Sequence, residues 1–223
     1  MFRRMNAYTL PLNEAEKRHS SFQGDFKWFV NEFSDDLNAF FLEFGVFTSR
    51  QIVRMADAAF ITECVDAYEN GVISSSPKQL RALYTRYDEE FTLQGQYHAM
   101  LAETFQFIVE NFGGLRGTFM MKPYALHSLV TALIHNRFEI ATISEEWHAE
   151  PMGVFCGNAR TAEESLLELA QAHEAKEDDG PHAKYVWGSS STTDRKVRRT
   201  ARVAGILRAL GVNVPDAVDA NLS

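Results

Sequence analysis

The sequence predicts an all-α protein, an irregular bundle of seven to nine helices with little or no sheet. Three observations predict it. Apolar residues recur at spacings of three and four through most of the chain, the period that lays a stripe along one helical face. Helix punctuation separates the stripes: Asn13 with Glu16 as a capping box, Ser76 before Pro77 as cap and first helical residue, and Gly45, Asn70-Gly71 and Gly113-Gly114 as stops. Strict alternation, the mark of a half-buried strand, never persists beyond a few residues.

Taken in order, a short helix is expected from about Glu14 to Ser20, broken by Gly24. Phe26, Phe29, Val30 and Phe33 then form a stripe, and a further turn or two runs from Asp35 through Phe44. Thr48 caps a helix carrying Ile52, Met55, Ala56, Ala59, Phe60, Glu63, Cys64 and Ala67. Leu80, Leu83, Tyr84, Tyr87 and Phe91 mark the next. A long one follows from about Leu93 to Asn111, with Tyr97, Met100, Leu101, Phe105 and Ile108 inward. Beyond it, Tyr124 to Ile134 continues the period from a start near Lys122 or Pro123. Leu166, Leu167, Leu169 and Ala170 form another stripe, which leads into a charged segment from Glu174 to Pro181 that reads as a mobile loop. A final helix is expected from about Asp194 to Leu210. Val154-Phe155-Cys156 and Tyr185-Val186-Trp187 are the best strand-like fragments. No internal repeat is present at periods of 20 to 50 residues.

At 223 residues and 45% hydrophobic content the chain can bury a real core. One domain over 1–212 is expected, with a flexible tail over 213–223. No window approaches eighteen uncharged apolar residues, and Arg3, Arg4 and Asn6 interrupt any signal-peptide core, so a soluble, cytoplasmic protein with no membrane partner is expected. Cys64 and Cys156 lack metal or redox spacing and read as buried thiols. The seven histidines are scattered, and pairs such as Glu145 with His148 or Glu16 with His19 make no metal site alone. Gly113 to Gly117 lacks the lysine and the strand-loop-helix setting of a phosphate loop. The seventeen phenylalanines fall on the stripes and read as core. Glu14 and Arg18, at i and i+4, form a candidate ion pair.

The net charge of −8 argues against general coating of nucleic acid. Its distribution is uneven, however. Arg195, Lys196, Arg198, Arg199 and Arg202 sit together, and at about 100° per residue the four arginines share one arc. Such a face is a candidate phosphate or DNA contact. The competing readings are a solvated face, or pairing with the acidic segment Glu174 to Asp179.

The opening residues carry a family resemblance. Phe2-Arg3-Arg4-Met5-Asn6, a short loop, then Leu12-Asn13-Glu14-Ala15-Glu16-Lys17-Arg18-His19 resembles the second signature of the N-terminal domain of GmrSD-type modification-dependent restriction enzymes, a ParB/sulfiredoxin-like family. Gly24-Asp25-Phe26, Arg54-Met55-Ala56-Asp57 and the closing Ser/Thr-then-Arg segment extend the likeness. The family's first signature, Asp-Gly-Gln-Gln-Arg, does not occur in this sequence, and neither does a match to the histidine-containing nuclease motif of full-length relatives. The resemblance implies a helical C-terminal part of such a domain, with residues 1–20 a remnant of the second motif. It implies that Arg4 and Asn6 lie beside a nucleotide pocket, with the helix after Asn13 supporting it. Full relatives couple nucleotide hydrolysis to cleavage of modified or foreign DNA. This chain alone is expected to hydrolyse nothing and to need no cofactor, and a second chain carrying the missing half, or DNA, is its expected partner. The alternative expectation is a stand-alone DNA-binding or protein-interaction module using the Arg195 to Arg202 helix.

Overall fold

The structure, a computed structural model, describes residues 11–220. These form thirteen α-helices and two short 3-10 turns, with no strand among the described residues. The class is the expected one. The larger count arises because the helix expected after Thr48 is divided at Arg54 and Met55, and because Ala141–Trp147, Ala183–Ser190 and Asp216–Ala220 are helices that the sequence reading did not anticipate.

α1 (Glu14–Ser21) starts at the capping box: Glu16 N donates to Asn13 Oδ1 at 2.9 Å, and Asn13 N donates to Glu16 Oε2 at 2.7 Å. α2 (Asp25–Asp36) takes its cap from far along the chain. Asp88 Oδ1 accepts from Gly24 N at 2.9 Å and from Gln23 N at 3.3 Å, in place of a local side chain. A Cβ on Gly24 would fall 1.7 Å from the Asp88 carbonyl oxygen, so only glycine fits there. α3 (Asn38–Glu43) follows a break at Leu37.

The helix expected after Thr48 is two. α4 (Ser49–Val53) is capped by Thr48 with Gln51, and α5 (Ala56–Asn70) begins after Met55, whose φ of 59° lies in the left-handed region. α5 ends at Gly71, with φ 72°. α6 (Pro77–Arg86) is capped by Ser76 and α7 (Gln94–Asn111) is the longest helix. α8 (Pro123–Phe138) runs through the centre, every residue from Ala125 to Asn136 being buried, and packs against α5, α7 and a later helix, α12. α9 (Ala141–Trp147) and α10 (Ala159–Ala175) lead to α11 (Ala183–Ser190), α12 (Lys196–Ala209) and α13 (Asp216–Ala220).

Several expectations are corrected here. Tyr185-Val186-Trp187 lies within α11, and Val154-Phe155-Cys156 is irregular. α10 persists to Ala175, inside the segment expected to be a loop. The tail from 213 is not free of the core, since Gly211, with φ 95°, turns the chain back and Val212, Val214 and Val218 are buried. Those three valines outweigh the polar residues between them.

Two kinds of interior result. Among α2, α3, α5, α6 and α7 the core is a sheet-free lattice of rings, with centroid separations from 4.5 Å for Phe40 and Phe44 to 6.5 Å for Phe60 and Phe105. Around α8, α11 and α12 the helices approach closely through small residues. A Cβ on Gly188 would lie 2.9 Å from both Ala201 Cβ and the Arg198 carbonyl oxygen, and one on Gly205 would lie 3.3 Å from Tyr185 Cβ.

Candidate functional site

The break between α4 and α5 shapes a cleft of about 460 Å³, bounded by α1, α4, the first turns of α5 and the start of α6. Its framework is the same Asn13 that caps α1. Asn13 Nδ2 donates to the Arg54 carbonyl at 2.8 Å, which secures the chain at the residue before the left-handed Met55. The Arg54 Nη2 in turn donates to Glu16 Oε2 and to the Pro11 carbonyl, each at 3.0 Å. Its Nε lies 2.7 Å from Glu16 Oε1, an ionic contact at an angle too poor for a hydrogen bond. One capping box therefore orders the helix start, the break and the cleft wall together.

Arg18 forms part of the cleft's inner wall. The expected Glu14–Arg18 pair is replaced by Glu14 with Lys17 at 2.7 Å, and Arg18 turns inward, 4% exposed, with its guanidinium carbon 5.8 Å from the Tyr84 ring centroid. Its Nε has no hydrogen-bond acceptor. Arg50 stands exposed on the cleft's outer side, and Ser75 and Ser76 line it at the α6 N-terminus. Ser76 Oγ accepts from Gln79 N at 3.3 Å. The Ser74 to Ser76 loop is tied to α12, because Ser75 N donates to the Asp194 carbonyl at 3.0 Å and Lys196 N donates to Ser74 Oγ at 2.9 Å.

Arg4 and Asn6 lie outside the described residues. The five cations near the C-terminus differ in exposure: Arg195 and Lys196 are exposed, Arg198 is half-buried, and Arg199 and Arg202 are buried. Arg195 is exposed, and Lys196 Nζ sits 3.4 Å from Glu146. Arg198 stacks 3.6 Å from the Trp187 ring centroid and donates to the Trp187 carbonyl. Arg199, 5% exposed, pairs with Glu63 of α5. Arg202, 1% exposed, donates from Nε to Ser128 Oγ at 3.0 Å, from Nη2 to the Thr193 carbonyl at 2.7 Å, and from Nη1 to the Gly188 carbonyl at 2.5 Å. The pairing anions are Glu63 and Glu146, not the acidic segment 174–179.

Glu63, Tyr124, His127 and Thr193 surround this pair and were not singled out by sequence. Glu63 carried a signal, being a carboxylate within an otherwise apolar helical stripe. His127 Nε2 lies 3.1 Å from the Glu63 carbonyl, and burial, then the Arg199 charge, holds its pKa well below the usual range. Burial, then the neighbouring Arg199, lowers the pKa of Arg202 to about 10. The scattered histidines and carboxylates stay apart: among the described residues no group of three or more His, Cys, Asp or Glu is placed to hold a metal ion. Nor, among those residues, is any helix long and apolar enough to cross a membrane. Cys64 is buried, Cys156 partly so, and neither is disulfide-bonded.

No family model, no curated protein and no solved structure matches this chain, so the resemblance to the GmrSD-type domain rests on the opening residues and short motifs alone.

Proposed function

We propose that the chain is a helical domain that binds a phosphate-bearing small molecule, of the nucleotide class, in the cleft between α1, α4 and α6. The resemblance to a GmrSD-type restriction domain implies a nucleotide pocket beside Arg4 and Asn6, with the helix after Asn13 as its support. The Asp-Gly-Gln-Gln-Arg signature that the resemblance ties to hydrolysis does not occur in this sequence. The observation that carries the reading is Arg18: a guanidinium 4% exposed, lining the cleft, with an Nε that no acceptor satisfies. A buried cation with an unmet donor gains from an anion. Arg50 adds charge at the rim, and the α6 N-terminus adds its partial positive end and two serine hydroxyls. The segment bearing Arg4 and Asn6 joins the described chain at Pro11, whose carbonyl Arg54 holds.

Calorimetric titration with ATP, GTP and inorganic pyrophosphate tests it. Saturable binding, weakened at least tenfold in Arg50→Ala and Arg18→Gln, is the expected result. Absence of binding at millimolar ligand, or binding indifferent to both substitutions, overturns it.

The DNA-binding alternative draws on one observation, the Arg198–Trp187 stack with Trp187 37% exposed, a platform of the kind on which bases stack. It predicts salt-sensitive binding of a single-stranded oligonucleotide that Arg195→Ala and Arg198→Ala weaken together.

A further inference from the structure

The cleft continues past α5 into a half-open cavity of about 280 Å³. Ala56, Ala59 and Glu63, one stripe of α5, line both, so the two alanines leave only a low saddle between them. The two spaces also meet at Ser75, which lines the cleft and whose N donates at 3.0 Å to the carbonyl of Asp194, which lines the cavity. We propose that this cavity is the base subsite for the nucleotide whose phosphate end lies at Arg18 and Arg50, and that the base it selects is guanine. The proposal rests on the phosphate-binding role of the cleft and specifies the other end of the ligand.

Charge and surface together select a neutral, flat group. Glu63 pairs with Arg199, the buried Asp66 acts on the same guanidinium, and Asp194 lines the cavity as well, so Arg199 and Arg202 are balanced. The group that enters therefore needs no net charge, in contrast to the end at Arg18. The walls include Phe47, Phe60, Pro123 and Tyr124, surfaces on which an aromatic ring packs. At about 280 Å³ the cavity is small for a whole ligand, and joined to the cleft of about 460 Å³ it gives a groove of ordinary ligand-pocket size.

The polar partners choose the base. Arg199 engages Oε2 of Glu63, whose side chain stays 28% exposed, and Arg199 Nε has no acceptor. A carboxylate accepts through two oxygens, and a guanidinium donates through five N–H groups. Guanine alone among the common bases offers two neighbouring donors, N1–H and the 2-amino group, to a carboxylate, while its O6 and N7 accept from a guanidinium. Because N1–H and O6 are adjacent on that ring, an ion pair already formed between Glu63 and Arg199 presents its two halves side by side as the base requires. Adenine supplies one amino group and no N1–H.

Calorimetric titration of the full chain with a ligand series separates the two ends. Guanosine monophosphate should bind about tenfold or more tighter than adenosine monophosphate or ribose phosphate, with inosine monophosphate, which lacks the 2-amino group, in between. The Arg199 Nε–Hε resonance should move with guanosine monophosphate along the calorimetric curve and stay in place with ribose phosphate. Ala59→Leu, which raises the saddle at a half-buried position, should bring guanosine monophosphate to the affinity of ribose phosphate. The ligand series and the resonance are read on the unaltered protein, so they decide the matter even if that variant fails to fold. Adenosine monophosphate or ribose phosphate binding as tightly as guanosine monophosphate, or an Arg199 resonance unmoved at saturation, overturns the base subsite, and pyrophosphate binding weakened by Arg18→Gln would then still support the phosphate end. Failure of pyrophosphate and guanosine monophosphate alike to bind at millimolar concentration overturns both.

Discussion

Between α2 and α7 the interior is dominated by rings, with Lys27, Asp57 and Asp66 buried at its edges, whereas between α8 and α12 two guanidiniums are buried among polar groups. Phe26, Phe29, Phe41, Phe44 and Phe105 are buried against other aromatic residues. Across α8 the buried side chains include His127, Ser128, His135, Asn136, Arg199 and Arg202. Rings stabilise through area and shape, without direction, so neighbouring rings share the work. Buried polar groups are stable only with their partners, so each one fixes others. The ring-packed region is suited to be a scaffold. The charged region meets the cleft at Glu63, which lines it and pairs with Arg199.

The sharpest way to break this comparison is to remove one ring. Phe105 meets Phe33, Phe40, Phe41 and Phe60 at centroid distances from 5.2 to 6.5 Å. Phe105→Ala should lower the unfolding free energy by about 3–5 kcal/mol, read as a drop in urea midpoint at constant m-value. A loss under about 1 kcal/mol would mean that the rings repack freely and that the scaffold is not close-packed.

The second test removes one charge. Glu63→Gln leaves Arg199 and Arg202 with no carboxylate between them and should cost about 2–3 kcal/mol, the partly exposed Glu63 side chain keeping the figure below that of a fully buried pair. Glu63→Gln combined with Arg199→Gln should recover part of that loss, a coupling of about 0.5–3 kcal/mol in a double-mutant cycle. Additive losses would show that Glu63 and Arg199 act separately.

A third, smaller effect sharpens the difference in backbone approach. Gly188→Ala must push apart α11 and α12, and about 1–3 kcal/mol should be lost. Gly95, in the first turn of α7, has nothing within 4 Å of a built Cβ, so Gly95→Ala should instead stabilise by about 0.4–1 kcal/mol. Equal effects at the two glycines would remove the argument for close packing of α11 on α12.

These particular residues also show what was legible in the sequence. The phenylalanine stripes announced both the helical class and the scaffold core, because helical period and burial are the same signal there. Asn13, Thr48 and Ser76 announced their caps, since capping is local. Arg199 and Arg202 were not legible as buried. A run of arginines reads as a solvated or nucleic-acid-binding face, and only the tertiary approach of α12 to α5 and α8 turns two of them inward, with Glu63 and three uncharged oxygens to receive them. The break at Met55 was hidden for the same reason. Nothing within α4 or α5 demands a left-handed residue, and the bond from Asn13 to the carbonyl of Arg54, forty-one residues later and next to Met55, is what holds the chain there. The cap of α2 by Asp88 is likewise non-local. The cleft is built from such long-range contacts, so its helices could be anticipated but its walls could not.

Acid should separate the two regions by the smallest of these effects. His127, His135 and His173 are all buried, and in each case burial is the leading cause that lowers the pKa. The unfolded chain takes up their protons near pH 6.5 while the folded chain resists, so the unfolded state binds more protons and stability rises with pH up to that point. Asp57 and Asp66 act with the opposite sign. Burial raises their pKa values, the folded state holds their protons longer, and their contribution falls as pH climbs from the ordinary carboxylate value of 3.8. Between about pH 7.5 and 5.5 the histidines should dominate, with a loss of about 1 kcal/mol for each that stays neutral. His127→Gln should flatten that dependence. Hydrogen exchange, corrected for intrinsic rate, should show α8 and α12 losing protection over this interval before α2 and α7, because all the histidines that resist protonation contact α8, α10 or their neighbours. Equal loss everywhere would mean that the ring scaffold and the charged region unfold as one unit, and the division between them would then describe chemistry without describing cooperativity.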